Sequence, residues 1–204
     1  MSDRRLFESI EGIAGTGKTT VAPLLAEARQ GVLVPTVPPN FQSLRRELDH
    51  TSNPDARMCL FLSALFTATD QIHRYLDAGI PVVVESYFAR CLTTHREFGA
   101  RLDIVLPSDL PEPVTYQLTC TPHERRRRLA QRDRAMTKWD VLAEKSAQSL
   151  AIATNAWTTH LIDTTAATPV QVVQTILSLN TSEVRHADTQ PLGADPDVFS
   201  PVRT

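Results

Sequence analysis

Short apolar runs alternate with longer stretches of helical periodicity along the whole chain. Leu6 to Ile10 forms the first run; a Gly-rich turn follows, and a helix begins near Lys18. Gly31 precedes a second run at Val32–Val34, which the prolines at 35, 38 and 39 end. From Asp55 to Ala78 the apolar residues Met58, Phe61, Leu62, Leu65, Ile72, Tyr75 and Leu76 recur at spacings of three, four and seven, predicting one long amphipathic helix. Asp55 follows Pro54 in its first turn and Gly79 stops it. Pro81 opens Val82-Val83-Val84-Glu85-Ser86, a β-branched run of the kind buried on both faces of a parallel sheet.

A polar helix to Phe98 comes next, then a strand at 114–120 and an Arg-rich helix entered through Thr121-Pro122. Trp139 to Trp157 reads as helix, His160–Ile162 as a fifth strand and Pro169 to Leu179 as a closing helix. This alternation predicts an α/β domain of three layers, α/β/α, around a five-stranded parallel sheet. Residues 1–180 make one domain, and 181–204, polar and aperiodic, read as a mobile tail.

Composition narrows the class without naming a chemistry. The chain has 204 residues and a formal net charge of −2, so no global basic field marks it as a nucleic-acid or membrane-surface binder. Cys59, Cys91 and Cys120 form no CxxC pair and read as reduced thiols, and six scattered histidines offer no zinc spacing. The charged N-terminus lacks a signal peptide's apolar core, and the apolar run around Met58–Phe66 is too short to span a bilayer. These features predict a cytoplasmic protein with no membrane and no nucleic-acid partner.

Chemistry enters at Gly12-Ile-Ala-Gly-Thr-Gly17-Lys18-Thr19, which satisfies GxxxxGK[ST] between a predicted strand and a predicted helix. Glycines let successive backbone N–H groups curl around a polyphosphate, and the helix N-terminus adds a fixed positive end. The spacing assigns Gly12, Ala14, Gly15, Thr16, Gly17, Lys18, Thr19 and Thr20 to ATP binding, with Lys18 bridging β- and γ-phosphates and the Thr19 hydroxyl on Mg²⁺. The predicted architecture is therefore a P-loop NTPase fold. No NKxD guanine signature accompanies the loop.

Two further features point to a small-molecule kinase. Arg128, Arg132 and Arg134 give an RxxxRxR spacing, suited to a lid whose guanidinium groups stabilise a transferring phosphoryl. An RNA-binding patch is the other use of such a helix, but interleaved aromatics are missing. Glu85 ends the buried valine run, where open α/β sheets place their ligands, and is a candidate for accepting the acceptor's proton or holding Mg²⁺ through water. Pairing of Glu85 with Arg90 is the structural alternative. Phe41, Phe61, Phe66 and Tyr87 are aromatics that could stack on an acceptor ring, Phe66 and Tyr87 foremost, while Trp139 and Trp157 read as packing for the helix after the lid.

These segments together resemble the thymidylate kinases and their nucleoside-kinase relatives, over about residues 5 to 178. Phe7-Glu-Ser-Ile-Glu11-Gly12 through the loop is similar to that family's first strand and P-loop. Leu65 to Tyr87 is similar to its long helix, glycine stop and third strand, and residues 110–134 to its fourth strand and arginine lid. The resemblance implies ATP, Mg²⁺ and a nucleoside or nucleoside monophosphate acceptor, with Asp70, Tyr87 and Arg90 near it, and dimerisation through the helix 55–78.

Departures from the family pattern pull the other way. Glu85-Ser86-Tyr87 stands where the family has Asp-Arg-Tyr, Pro35-Thr-Val-Pro38 where it has Arg-Glu-Pro, and Asp70 where an arginine meets the acceptor's phosphate. Each absent arginine removes a charge-assisted contact. An uncharged or amine-bearing metabolite such as a sugar or antibiotic is therefore an alternative acceptor. A nucleotide-binding regulator that transfers nothing is the alternative from another class.

Overall fold

The computed structural model describes residues 6–131 and 136–187, with side chains considered to residue 179. Five strands, β1 (Phe7–Glu11), β2 (Val32–Val34), β3 (Val82–Glu85), β4 (Val114–Thr119) and β5 (His160–Asp163), pair in parallel in the order β2-β3-β1-β4-β5. The alternation of side chains divides the core in two. Phe7, Val82 and Val84 face one layer, built from α3 (Pro54–Asp77) and α4 (Phe88–Glu97), whereas Ile10, Val83, Tyr116 and Ile162 face the other. That second layer consists of α1 (Lys18–Ala28) and α8 (Pro169–Ala187). Each valine of β3 is thus fully buried, as its unbroken apolar run predicts.

Local signals set the helix ends. Asn53 caps α3 by accepting from the N–H groups of Asp55 and Ala56, with Pro54 in the first turn, where its missing N–H costs nothing. Thr121 caps α5 (Pro122–Ala130). Thr137 and Asp140 form a capping box at the start of α6 (Lys138–Lys145). Ser146 then separates α6 from α7 (Ala147–Asn155), so the helix expected over 139–157 is two helices joined at one residue. The pattern missed α2 (Gln42–Asp49) altogether: it buries no residue, so it carries no apolar stripe to read. The closing helix, expected to stop at Leu179, runs to Ala187; residues 188–204 of the expected tail lie outside the described residues. Among the described residues no helix is long and apolar enough to cross a membrane.

Candidate active site

The loop expected to hold phosphates closes as its glycines require. Gly12 (φ 136°) and Gly15 (φ 91°) adopt backbone angles that L side chains rarely reach. A Cβ on Gly12 would lie 2.5 Å from the Leu118 carbonyl oxygen, and one on Gly15 2.7 Å from Cγ of Arg125. Gly17 caps α1 without a side chain, leaving first-turn N–H groups for an anion. The Thr16 hydroxyl donates to Ile13 O (2.9 Å), and Lys18 Nζ donates to the same carbonyl (3.2 Å), folded back across the loop. At the end of β3, Glu85 Oε1 accepts a hydrogen bond from the Thr19 hydroxyl at 2.8 Å. Glu85 thus faces the loop and does not pair with Arg90. A hydroxyl and a carboxylate side by side are the hard oxygen donors that suit Mg²⁺, with phosphate oxygens and water completing the shell. Thr19 and Glu85 therefore fit the ion expected of them.

Two cavities flank this loop. On the β4–β5 side one of about 380 Å³ is lined by Thr16, Gly17, Thr20, Arg127, Arg128 and Thr164. Arg128 stands at the phosphate loop, its Nη1 3.9 Å from where a Cβ on Gly17 would lie. Its Nε donates to Glu124 (2.7 Å), and its Nη groups donate to the hydroxyl (3.0 Å) and carbonyl (2.7 Å) of Thr164. Neighbouring Arg127 is held by Glu124 as well, and the two guanidinium groups keep the Glu124 carboxyl at about 2. Arg132 and Arg134 lie outside the described residues. Arg125, one turn earlier, is buried and forms a forked ion pair with Glu144 of α6, its Nη2 at 2.6 Å. That pair fastens α6 to the helix lying on Gly15.

On the β2–β3 side the cavity holds about 320 Å³ and opens onto Ala14, Lys18 and Glu85. Its other walls are Arg45 and Asp49 of α2, Arg57 and Phe61 of α3, Arg90, Thr94 and His95 of α4, then Phe98 and Trp139. Arg57 is its centrepiece. The guanidinium sits 4.6 Å from the Phe61 ring centre and 5.0 Å from that of Trp139, donating to Asp49 (3.1 Å) and to His95 Nε2 (2.9 Å). An arginine can only donate, so His95 accepts at Nε2 and carries its proton on Nδ1, directed to Cys91 O at 2.7 Å. Burial, with Arg57 and Arg90 nearby, pulls the imidazole down to about 4, and burial pushes the Cys91 thiol up to about 12. Both are held neutral.

Several atoms of this wall lack a hydrogen-bond partner among the described residues: Arg45 Nε, Arg90 Nη1, Trp139 Nε1 and Thr94 Oγ1. Three of these can only donate, and two are cationic. Arg45 Nε is 3.6 Å from an Asp49 carboxylate oxygen, an ion pair too long for a hydrogen bond. Burial lowers the pKa of Arg90, and the charge of Glu11 opposes that shift. The sequence points to Arg90, and to Phe61 as one of several aromatics, but not to Arg45, Arg57 or Trp139 as residues of the site. Arg45 sits on the helix that was not predicted, and the others converge from separate segments with no shared spacing.

Of the other residues expected at the site, Phe66 and Asp70 take other places, whereas Tyr87 lines the cavity. Phe66 and Asp70 stand exposed, away from the cavity; Phe66 rests against Phe88 with ring centres 5.1 Å apart. The cavity face of α3 runs through 57, 61 and 65, one residue per turn, and 66 and 70 fall outside it. Tyr87 is largely buried: its ring packs edge-on against Phe7 and Phe88 while its hydroxyl meets Thr69 (3.1 Å), and it borders the cavity beside Ser86. Trp139 does pack, stacked on Phe98, but in doing so it walls the cavity.

Five parallel strands in this order, with the phosphate loop after the central one, define a P-loop kinase fold. The chain has the fold of the thymidylate kinases. It resembles the thymidylate kinase of Candida albicans, with 18% identity, a TM-score of 0.69 and coverage of 89% of this chain and 93% of that one. A sugar kinase from Janibacter sp. HTCC2649 is similar at 17% identity and TM-score 0.57, covering 86% and 94%. The thymidylate kinase of Ehrlichia chaffeensis is similar at 16% and 0.56, covering 86% and 98%. No protein-family model and no curated protein sequence matches the chain.

Proposed function

We propose that this protein is an ATP-dependent kinase whose acceptor is a small anion of the nucleoside monophosphate class. The observation that carries the acceptor half is the set of unsatisfied donors, two of them guanidinium nitrogens, along the cavity that opens onto Lys18 and Glu85. A buried donor without a hydrogen bond is costly, and a ligand rich in acceptor oxygens relieves it. In place of the arginines absent from the family's positions, the cavity offers Arg45, Arg57 and Arg90 at other positions. That substitution removes the main ground for an uncharged or amine-bearing acceptor.

Each group then has a distinct task. Lys18 and the loop N–H groups hold the β- and γ-phosphates of ATP, while the cavity beside Thr164 takes its nucleoside, with Arg128 as a wall. Mg²⁺, when bound at Thr19 and Glu85, neutralises charge between the β- and γ-phosphates. A monophosphate oxygen is already ionised near neutral pH, so the acceptor needs no general base. Glu85 accordingly serves the Thr19 side, orienting that hydroxyl. Arg45 and Arg90 hold the acceptor's phosphate in line, and Phe61 and Trp139 bound its ring. Transfer forms a bond from the acceptor oxygen to the γ-phosphorus and breaks the β–γ bridge, releasing ADP.

Calorimetric titration tests this assignment. Nucleoside monophosphates should bind at least tenfold more tightly than the matching nucleosides, and Arg90→Gln should erase that difference. Equal affinity for both, or tighter binding of a sugar or an amine, would contradict it.

A further inference from the structure

Glu11, the last residue of β1, has no solvent exposure and no part in the chemistry above. Its Oε1 accepts the Tyr87 N–H at 2.7 Å and the Ser9 hydroxyl at 2.9 Å; Oε2 has no hydrogen-bond partner among the described residues. Tyr87 follows Ser86, a non-glycine residue at φ 66°, in the left-handed region. For such a residue that conformation is disfavoured by roughly five- to thirtyfold, so the surroundings must hold it. Two contacts from β1 do so, one on each side: Ile10 O accepts from the Ser86 N–H at 3.1 Å and Glu11 from the Tyr87 N–H.

What this turn aims is the site itself. Glu85, just before it, meets Thr19, and α4 begins just after it with Tyr87 as an N-cap whose side chain caps nothing. Arg90 lies in the first turn of that helix, lining the acceptor cavity and electrostatically coupled to Glu11. Burial raises the Glu11 carboxyl, while the hydrogen bonds from Tyr87 and Ser9 and the charges of Arg90 and Lys18 oppose that rise.

We infer that Glu11 is a positioning residue for phosphoryl transfer: its carboxylate fixes the strained Glu85-Ser86-Tyr87 turn, and thereby sets Glu85 against Thr19 and Arg90 into the acceptor cavity. The kinetic half of this inference rests on the kinase reading; the structural half does not.

The test is a double-mutant cycle. Glu11→Gln keeps an acceptor oxygen, Glu11→Met removes it at similar volume, and Ser86→Gly removes the strain that the contact must hold. Glu11→Gln should keep kcat within about threefold of wild type, whereas Glu11→Met should lower it about tenfold or more with KM for ATP unchanged. Adding Ser86→Gly to Glu11→Met should restore most of that loss. Equal losses in Gln and Met, or no rescue, would overturn the inference. Denaturant midpoints of wild type, Glu11→Met, Ser86→Gly and the double variant test the grip on the turn without any turnover: the loss from Glu11→Met should shrink in the Ser86→Gly background, and strict additivity would overturn it. Should Glu11→Met fail to fold, amide exchange at Tyr87 replaces it, since fast exchange in wild type or Glu11→Gln would refute the contact. A wild-type protein that transfers nothing defeats the kinase reading alone and leaves the cycle to decide about Glu11.

Discussion

Phe61 and Phe66 sit five positions apart on α3, and only Phe61 reaches the acceptor cavity. Both are aromatics of one helix, but only Phe61 falls on its apolar stripe with Met58, Leu62 and Leu65. Arg57, one turn away, packs on Phe61 and shares the cavity face with it. Steady-state kinetics should therefore show Phe61→Ala raising the acceptor KM by roughly five- to tenfold and Phe66→Ala changing it less than twofold. Equal effects would place the acceptor elsewhere.

His95 supplies a pH test on the same wall. Its pKa falls from the ordinary 6.5 to about 4 on folding, so above pH 6.5 both states are neutral and nothing is lost. Between pH 6.5 and about 4 the unfolded chain takes up the proton that the folded one refuses. Stability should fall across that window by roughly 3 kcal/mol, and His95→Gln, which cannot titrate, should flatten that part of the curve. Denaturant unfolding at several pH values measures it; identical slopes in the two proteins would refute the buried neutral imidazole.

At the scale of elements, α5 and α6 act as one piece on the phosphate loop. Arg125 covers Gly15 and is locked to Glu144, while the other end of α6 carries Trp139 into the acceptor wall. Glu144→Gln would strand a buried guanidinium, and since Glu144 is itself 34% exposed the expected loss is roughly 2 kcal/mol by denaturant unfolding, below that of a fully buried pair. Gly15→Ala strikes the same junction from the loop side. With φ at 91° and a Cβ 2.7 Å from Arg125, it should weaken ATP binding at least tenfold by calorimetry. The sequence announces α1, α3 and the five strands because each carries its apolar pattern within itself. It does not announce α2, whose residues face solvent or a cavity, nor the break at Ser146, where neither glycine nor proline marks the end.

At the scale of the molecule, the two sides of the P-loop differ in legibility for a physical reason. The proposed donor side is contiguous: one loop and one helix N-terminus offer backbone groups to a polyphosphate, so the whole of it is written within Gly12 to Thr20. The acceptor side is assembled by the sheet order. Pairing of β3 between β2 and β1 brings α2, α3 and α4 to a common edge, and Arg45, Arg57 and Arg90 meet there although they come from three different helices. A dimer through α3 remains a proposal, and the outward face it would use carries Ser63, Thr67 and Asp70 beside Phe66.

The central claim is that the γ-phosphoryl of ATP passes to a molecule seated on those arginines. Its most direct test follows a label on that phosphoryl in the presence of Mg²⁺ and a panel of nucleoside monophosphates, nucleosides, sugars and amines, with Lys18→Ala alongside. The account predicts label on a monophosphate acceptor, little release without one, and a loss of about a hundredfold or more in Lys18→Ala. Tight ATP binding with no label on any acceptor would contradict it and mark the protein as a nucleotide switch.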